Sequence, residues 1–213
     1  MKKRILILCD SKRAVSPVIG VILMLFLTIL LAGVTVSAVY SDDIGTSLSS
    51  APMASVKATG SEGSVGYHVS FDKNFIYLEH TGGDPLQAES TNVVISGDGS
   101  SYIGVVGHGG SKRYGDVVIS YDNLLFDGKE IDYASRNSVL SDGEWSAGEE
   151  IILNGQDAIS SGSASSVITS IDGFTDTSNN YGLKKDSTIK IKIFDTSTQR
   201  LISECECKVT PAE

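Results

Sequence analysis

The sequence predicts an α+β chain: a long N-terminal hydrophobic α-helix followed by an all-β, sandwich-like head domain. Three observations carry this. Residues 14–41 contain no Asp, Glu, Lys, Arg or His. From Pro52 onward, short β-type runs alternate with Gly, Asp, Asn and Ser turn signals. The length, 213 residues, suits one medium domain with an appendage. Bulk disorder and collagen fit poorly, because 41% of residues are hydrophobic and the 22 glycines follow no three-residue period. The net charge of -9 argues against a nucleic-acid partner, since neutralising phosphates needs a cationic surface.

The charge is unevenly placed. Lys2, Lys3, Arg4, Lys12 and Arg13 against Asp10 make residues 1–14 a +4 head, which leaves -13 for the rest of the chain. A basic head, an uncharged run and an acidic body match the positive-inside rule, with the head cytoplasmic and the body exported.

The uncharged run, Ala14 to Ser41, is longer than the roughly 20 apolar residues that cross a bilayer. The twelve Ile, Leu, Val or Phe side chains from Val18 to Val34 favour insertion by roughly 4 to 7 kcal/mol before Gly and Thr subtract. Ser16 suits the N-cap and Pro17 the first helical position, so the helix is expected to start at Pro17. No second Pro appears until Pro52, which lets the helix run to about residue 50. A cleaved secretory signal, with Val36, Ser37 and Ala38 as its small-residue site, and a permanent signal anchor are competing readings.

The cytoplasmic edge of the run decides among them. Ten consecutive residues, Val15, Ser16, Pro17, Val18, Ile19, Gly20, Val21, Ile22, Leu23 and Met24, closely resemble the N-terminal domain of archaeal type IV pilins, preceded as in that family by a short basic leader and a small residue. The resemblance implies cleavage by a prepilin peptidase between Ala14 and Val15, with Lys12, Arg13, Ala14 and Val15 forming the processing site. It also implies that the apolar helix, continuing through Leu25, Phe26, Leu27, Ile29, Leu30, Leu31 and Gly33, forms the filament core. Gly33 and Ser37 make a small-xxx-small pair that suits close backbone approach or ordinary lipid-facing composition equally. Ile19 stands where bacterial pilins carry a Glu, so subunit register is expected to come from packing.

In the body, candidate strands are Gly66–Phe71, Phe75–His80, Asn92–Ser96, Tyr102–Val106, Asp116–Tyr121, Glu150–Leu153, Ser187–Phe194 and Leu201–Val209. No amphipathic helix stands out, which points to a sandwich or partly open barrel. Two stretches resemble archaeal pilin heads weakly: Glu79-His80-Thr81-Gly82-Gly83-Asp84-Pro85-Leu86, and Trp145 followed by Gly148, Glu149, Glu150, Ile151 and Ile152. In the last hairpin Ile189, Ile191 and Ile193 form an aliphatic face, and pairing Phe194 with Ile202 sets Lys192 against Glu204 and Lys190 against Glu206. Residues 159–180, rich in Ser, Thr, Gly and Asn, are expected to form a mobile surface loop.

Chemistry-bearing residues are sparse. Cys9 lies in the leader. Cys205 and Cys207, two apart on one strand face, make a strained bridge to each other and are expected as small buried hydrophobes, with a metal or an intersubunit disulfide as alternatives. His68, His80 and His108 lack zinc-ligand spacing. Gly107 to Lys112 lacks phosphate-loop spacing. Asp122, Asp127, Glu130 and Asp132 lack the calcium-loop pattern and are expected to face solvent. No nucleophile and base emerge from spacing, so no catalytic residue, cofactor or metal is expected and a hydrolase ranks last.

The expected organisation is a leader at 1–14, a membrane and filament helix at 15–50, a linker at 51–64 and a head at 65–213. The expected role is a structural, non-enzymatic subunit of an archaeal type IV pilus-like filament used for surface adhesion. Before assembly it is a single-pass membrane protein with its N-terminus cytoplasmic and its head outside; afterwards it belongs to a cell-surface filament. Its partners are identical or related pilin subunits, the prepilin peptidase, the pilus assembly machinery and membrane lipid. A membrane-anchored extracellular binding module that does not polymerise is the alternative.

Overall fold

The computed structural model describes residues 15–39, 50–63, 70–104, 110–159 and 165–212. Two compact units divide at Ser49 and Ser50. Among its described residues the first holds one helix, α1, Val15–Val39. It begins two residues before the expected start, with Pro17 in the first turn, because none of the first four helical N–H groups has a partner for proline to remove.

The second unit is the β head. In chain order its strands are β1 (Ala54–Gly63), β2 (Phe75–Gly83), β3 (Leu86–Gln87), β4 (Thr91–Ile103), β5 (Ser111–Tyr121), β6 (Glu144–Trp145), β7 (Glu150–Asn154), β8 (Val167–Ile171), β9 (Thr177–Leu183), β10 (Thr188–Asp195), β11 (Arg200–Lys208) and β12 (Thr210–Pro211). A one-and-a-half-turn helix, α2 (Ile131–Arg136), lies between β5 and β6. One sheet runs β12-β1-β2-β7, a second β11-β10-β4-β5-β8 with β9 pairing the far half of β4, and β3 pairs β6 in a small third. Alternating residues of both sheets fill the core, among them Ile76, Leu78, Ile151 and Leu153 from the first and Val93, Ile95, Ile119, Ile189, Ile191 and Ile193 from the second. β4 absorbs the expected strand at Asn92–Ser96 and the first two residues of the one at Tyr102–Val106, whose last two lie outside the described residues: it pairs β10 up to Ser96 and β9 from Gly99. Gly99 permits the switch, because a β-carbon there would collide with the carbonyl oxygen of Gly182.

Several expectations are corrected. The linker expected at 51–64 holds β1. The loop expected at 159–180 holds β8 and the start of β9, whose Ser, Thr and Asn side chains work within the sheet. Most of the strand expected at Gly66–Phe71 lies outside the described residues, and Phe71 itself opens a 3-10 turn. In the last hairpin Lys190 opposes Glu206 and Lys192 opposes Glu204 as expected, but a bulge at Ile193/Phe194 sets Phe194 against Leu201 rather than Ile202 and leaves Leu201 half exposed.

The open edges of the sheets are closed by side chains. On β7, the buried Asn137 carboxamide accepts from Ile152 N (2.7 Å) and donates to Ile152 O (3.0 Å), and Asp157 accepts from Asn154 N (2.7 Å). On β8, Val167 N donates to Ser165 Oγ (3.1 Å) and Thr169 N to Asn179 Oδ1 (3.1 Å), Ile171 N donates to Phe174 O (3.0 Å), and Thr177 Oγ1 donates to Thr169 O (2.6 Å). On β1, Ser203 Oγ of β11 accepts from Val56 N (3.3 Å) and donates to Val56 O (3.2 Å). Each plug takes the hydrogen bonds that an added strand would use.

Two predictions follow from these contacts. Asn137→Ala leaves buried β7 groups unpaired and should destabilise the head by about 2 to 3 kcal/mol in chemical denaturation, with the exchange protection of the Ile152 amide falling more than that of its neighbours. Lys190 Nζ lies 3.1 Å from Glu204 and 3.5 Å from Glu206, so Glu204 is engaged by Lys190 rather than by its register partner Lys192. Thermal melts should therefore show a larger loss for Lys190→Glu than for Lys192→Glu.

Candidate assembly segment and head clasp

The helix α1 has 25 residues, a length of about 38 Å at 1.5 Å per residue, against a hydrocarbon core of about 30 Å. Its most apolar part, Val18–Ser37, is long enough to span a membrane. Every large apolar side chain from Val18 to Val36 is at least half exposed: Val18, Ile19, Val21, Ile22, Leu23, Met24, Leu25, Phe26, Leu27, Ile29, Leu30, Leu31, Val34 and Val36 clothe the rod on all sides. Its two threonines return their hydroxyls to the backbone, Thr28 to Leu25 O (2.8 Å) and Thr35 to Ala32 O (2.9 Å), so they demand nothing of an apolar solvent. Nothing lies within 4 Å of where a β-carbon would stand on Gly20 or Gly33, so both leave bare backbone on the rod.

Of the residues expected to be processed, Val15 opens α1, while Lys12, Arg13 and Ala14 lie outside the described residues. Ser16 and Pro17 fall in the first helical turn.

In the head, the two stretches singled out in the sequence come together around His80, which is fully buried. Its ring meets the Trp145 indole edge-on, 5.7 Å between centroids. His80 Nε2 lies 3.1 Å from Asp84 O, while Trp145 Nε1 donates to Glu149 O (3.1 Å). The backbone completes the contact, His80 N donating to Glu149 O (2.9 Å) and Gly148 N to His80 O (2.7 Å). Asp84 then grips the start of the head: Met53 N donates to Asp84 Oδ2 (3.0 Å) and Asp84 N to Met53 O (2.9 Å). Gly83, at φ +107°, is required here, since a β-carbon would strike Met53 O. The motif is a clasp that sets where the chain enters the head.

A second buried cluster was not legible beforehand. Asp157 accepts from Asn154 N (2.7 Å), Tyr121 Oη (2.8 Å) and the Arg136 guanidinium. Tyr121 Oη is 2.8 Å from Tyr181 Oη. Nearby, Lys129 donates to Leu125 O (2.6 Å), Ser166 Oγ (2.8 Å) and Asn123 Oδ1 (3.3 Å), with the Tyr133 ring 5.0 Å away. Burial pulls the Lys129 ammonium down to about 8, against the opposing charges of Asp157, Asp122 and Asp127. Burial pushes the Asp157 carboxyl up, opposed by its three donors and Lys129, and pushes the hydroxyls of Tyr121, Tyr133 and Tyr181 up as well. The arrangement ties α2 and its flanking loops to the sheets. The Asn154-Gly155-Gln156-Asp157 turn pattern is a local cue that could have pointed to it but was not read, and Lys129 and Asn137 carry no sequence mark.

Cys205 and Cys207 are free and half-buried, packed against the core, with burial raising both thiols. Among the described residues no group of three or more His, Cys, Asp or Glu side chains is placed to hold a metal ion.

Among the described residues, one apolar span followed in sequence by a β head defines the architectural class. Residues 13–56 match the family model described as archaeal type IV pilin, N-terminal, a match that starts beside the expected processing site and ends inside β1. It supports a pilin-subunit role and is consistent with membrane anchoring and a surface filament. No curated protein matches the chain.

The buried cluster sets a pH signature. Between about pH 8 and the ordinary lysine value of 10.5, the unfolded chain keeps a proton that folded Lys129 has released, so stability rises with pH. Above about pH 10 the unfolded chain loses tyrosine protons that the folded head keeps, and stability falls. Denaturation midpoints measured from pH 7 to 11 should therefore pass through a maximum near pH 10, and Lys129→Met should flatten the rise while leaving the fall.

Proposed function

We propose that this chain is the structural subunit of an archaeal type IV pilus-like surface filament. In this reading a prepilin peptidase cuts between Ala14 and Val15, and α1 leaves the bilayer to pack among α1 helices of identical or related subunits. The carrying observation is the exposed, all-round apolar rod, coupled to the match over residues 13–56. The cut has a physical purpose. With the leader attached, extraction drags five cations through hydrocarbon, at a cost of about 2.5 to 3.5 kcal/mol each near the membrane centre on insertion scales. Without it, the helix exchanges one apolar surrounding for another. The closed edges of the head support the same route, because they disfavour polymerisation by strand addition and leave the helix as the surface that needs a partner. Displayed on such a filament, the acidic head meets solvent and the substratum, and adhesion is its work.

The experiment is to express the full chain with its peptidase and assembly machinery, sequence the N-terminus and image the cell surface. Filaments containing a chain that begins at Val15 are the expected outcome. Ala14→Leu should retain the leader and abolish filaments, with the protein accumulating in the membrane. A native chain that begins at Met1 or beyond Ala38 defeats the proposal, and a correctly cut chain found only as a membrane-bound monomer favours an anchored binding module.

A further inference from the structure

The head contains a polar cleft of about 280 Å³ where α2 meets the end of β7 and β9. Glu130, Asp132 and Arg136 come to it from α2 and its approach, Asn154 and Gln156 from the end of β7 and the turn after it, and Asn180 from β9. The volume lies at the lower end of the range for small-molecule pockets, enough for one or two small rings. No aromatic or large aliphatic side chain lines it, which disfavours an apolar guest.

Charge narrows the choice further. The Arg136 guanidinium is already answered inside the protein by Asp157, whose side chain is fully buried, and Glu130 and Asp132 repel an anion. Among the described residues no group of three or more acidic, His or Cys side chains converges there to hold a bare cation. What remains is a neutral ligand that both donates and accepts. Two wall atoms, Arg136 Nε, a donor, and Asn180 Oδ1, an acceptor, are buried without a hydrogen-bond partner among the described residues, polar capacity that the protein leaves unused beside the cleft. The lining is also preorganised. Asn154 Nδ2 donates to Asp72 O (2.8 Å) and Asn74 O (3.0 Å), its Oδ1 accepts from Gln156 N (2.9 Å), and Asp157 holds Arg136. Planar amide, carboxylate and guanidinium groups held in this way suit adjacent hydroxyls, each of which gives and takes a hydrogen bond.

We propose that this cleft binds a neutral, polyhydroxylated ligand, a saccharide ring. The inference supplies the adhesive half of the reading above and rests on that reading only for where the head is displayed.

The test uses the full chain in a zwitterionic, sugar-free detergent and ligand-observed saturation-transfer NMR. The probes are D-glucose, D-galactose, D-mannose and N-acetylglucosamine, with calcium and inorganic phosphate titrated in parallel by calorimetry. At least one sugar should show transfer, and Gln156→Ala and Asn180→Ala should each weaken it about tenfold, as expected for the loss of one hydrogen-bonding group. Both changes should leave circular dichroism and the melting temperature close to those of the parent, since among the described residues neither side chain has a hydrogen-bond partner to lose. Transfer from none of the four sugars, transfer unchanged in both variants, or binding confined to calcium or phosphate overturns the proposal. Subunits that bind a sugar yet never polymerise leave the cleft standing and defeat the filament; filaments that ignore all four sugars do the reverse.

Discussion

An apolar helix some 25 residues long is costly to leave in water, and that constraint governs where this chain can work. α1 carries no ionisable group, returns its threonine hydroxyls to its own backbone and presents large aliphatic side chains on every side. A soluble amphipathic helix would have a polar face to offer solvent and an apolar one to bury. This one has only the apolar surface, long enough to span a membrane, and such a surface suits lipid or other apolar helices.

The head solves the opposite problem. It is made of strands, whose backbone groups become adhesive wherever an edge is left open. Closure comes from small polar side chains: Asn137 on β7, Asn179 and Thr177 on β8, Ser203 on β1. The Ser, Thr and Asn richness of residues 159–180, read from composition as the mark of a loop, is in part this edge chemistry. Interior stability comes separately, from the aliphatic alternation of the two sheets and the buried cluster around Asp157 and Lys129.

The parts of the fold legible in the sequence were those with strong local periodicity. The apolar run announced α1, and the period-two pattern of Ile189, Ile191 and Ile193 announced β10 and set two of the hairpin's pairings correctly. The legible motifs were those where a backbone demand fixes residue type, as in the Gly82-Gly83-Asp84 turn that brings His80 to Trp145. What escaped was non-local. β1 carries little hydrophobic alternation and becomes a strand through its neighbours β2 and β12. β8 and β9 depend on partners distant in the chain, and Asn137 finds its role only when β7 lies beside it. The hairpin bulge at Phe194 is a geometric adjustment that alternation alone does not encode. The cleft is composite too: its walls come from three segments, and its acidic rim was read only as a solvated face.

Asn137 has one more implication. Any arrangement that crowds many copies of a β domain at high local concentration invites sheets of neighbouring copies to fuse, the reaction that ends in amyloid. A single carboxamide occupying both hydrogen-bonding groups of Ile152 removes the nucleation point on that strand. An edge occupied in this way is a poorer template for fusion wherever copies of the head are brought close together.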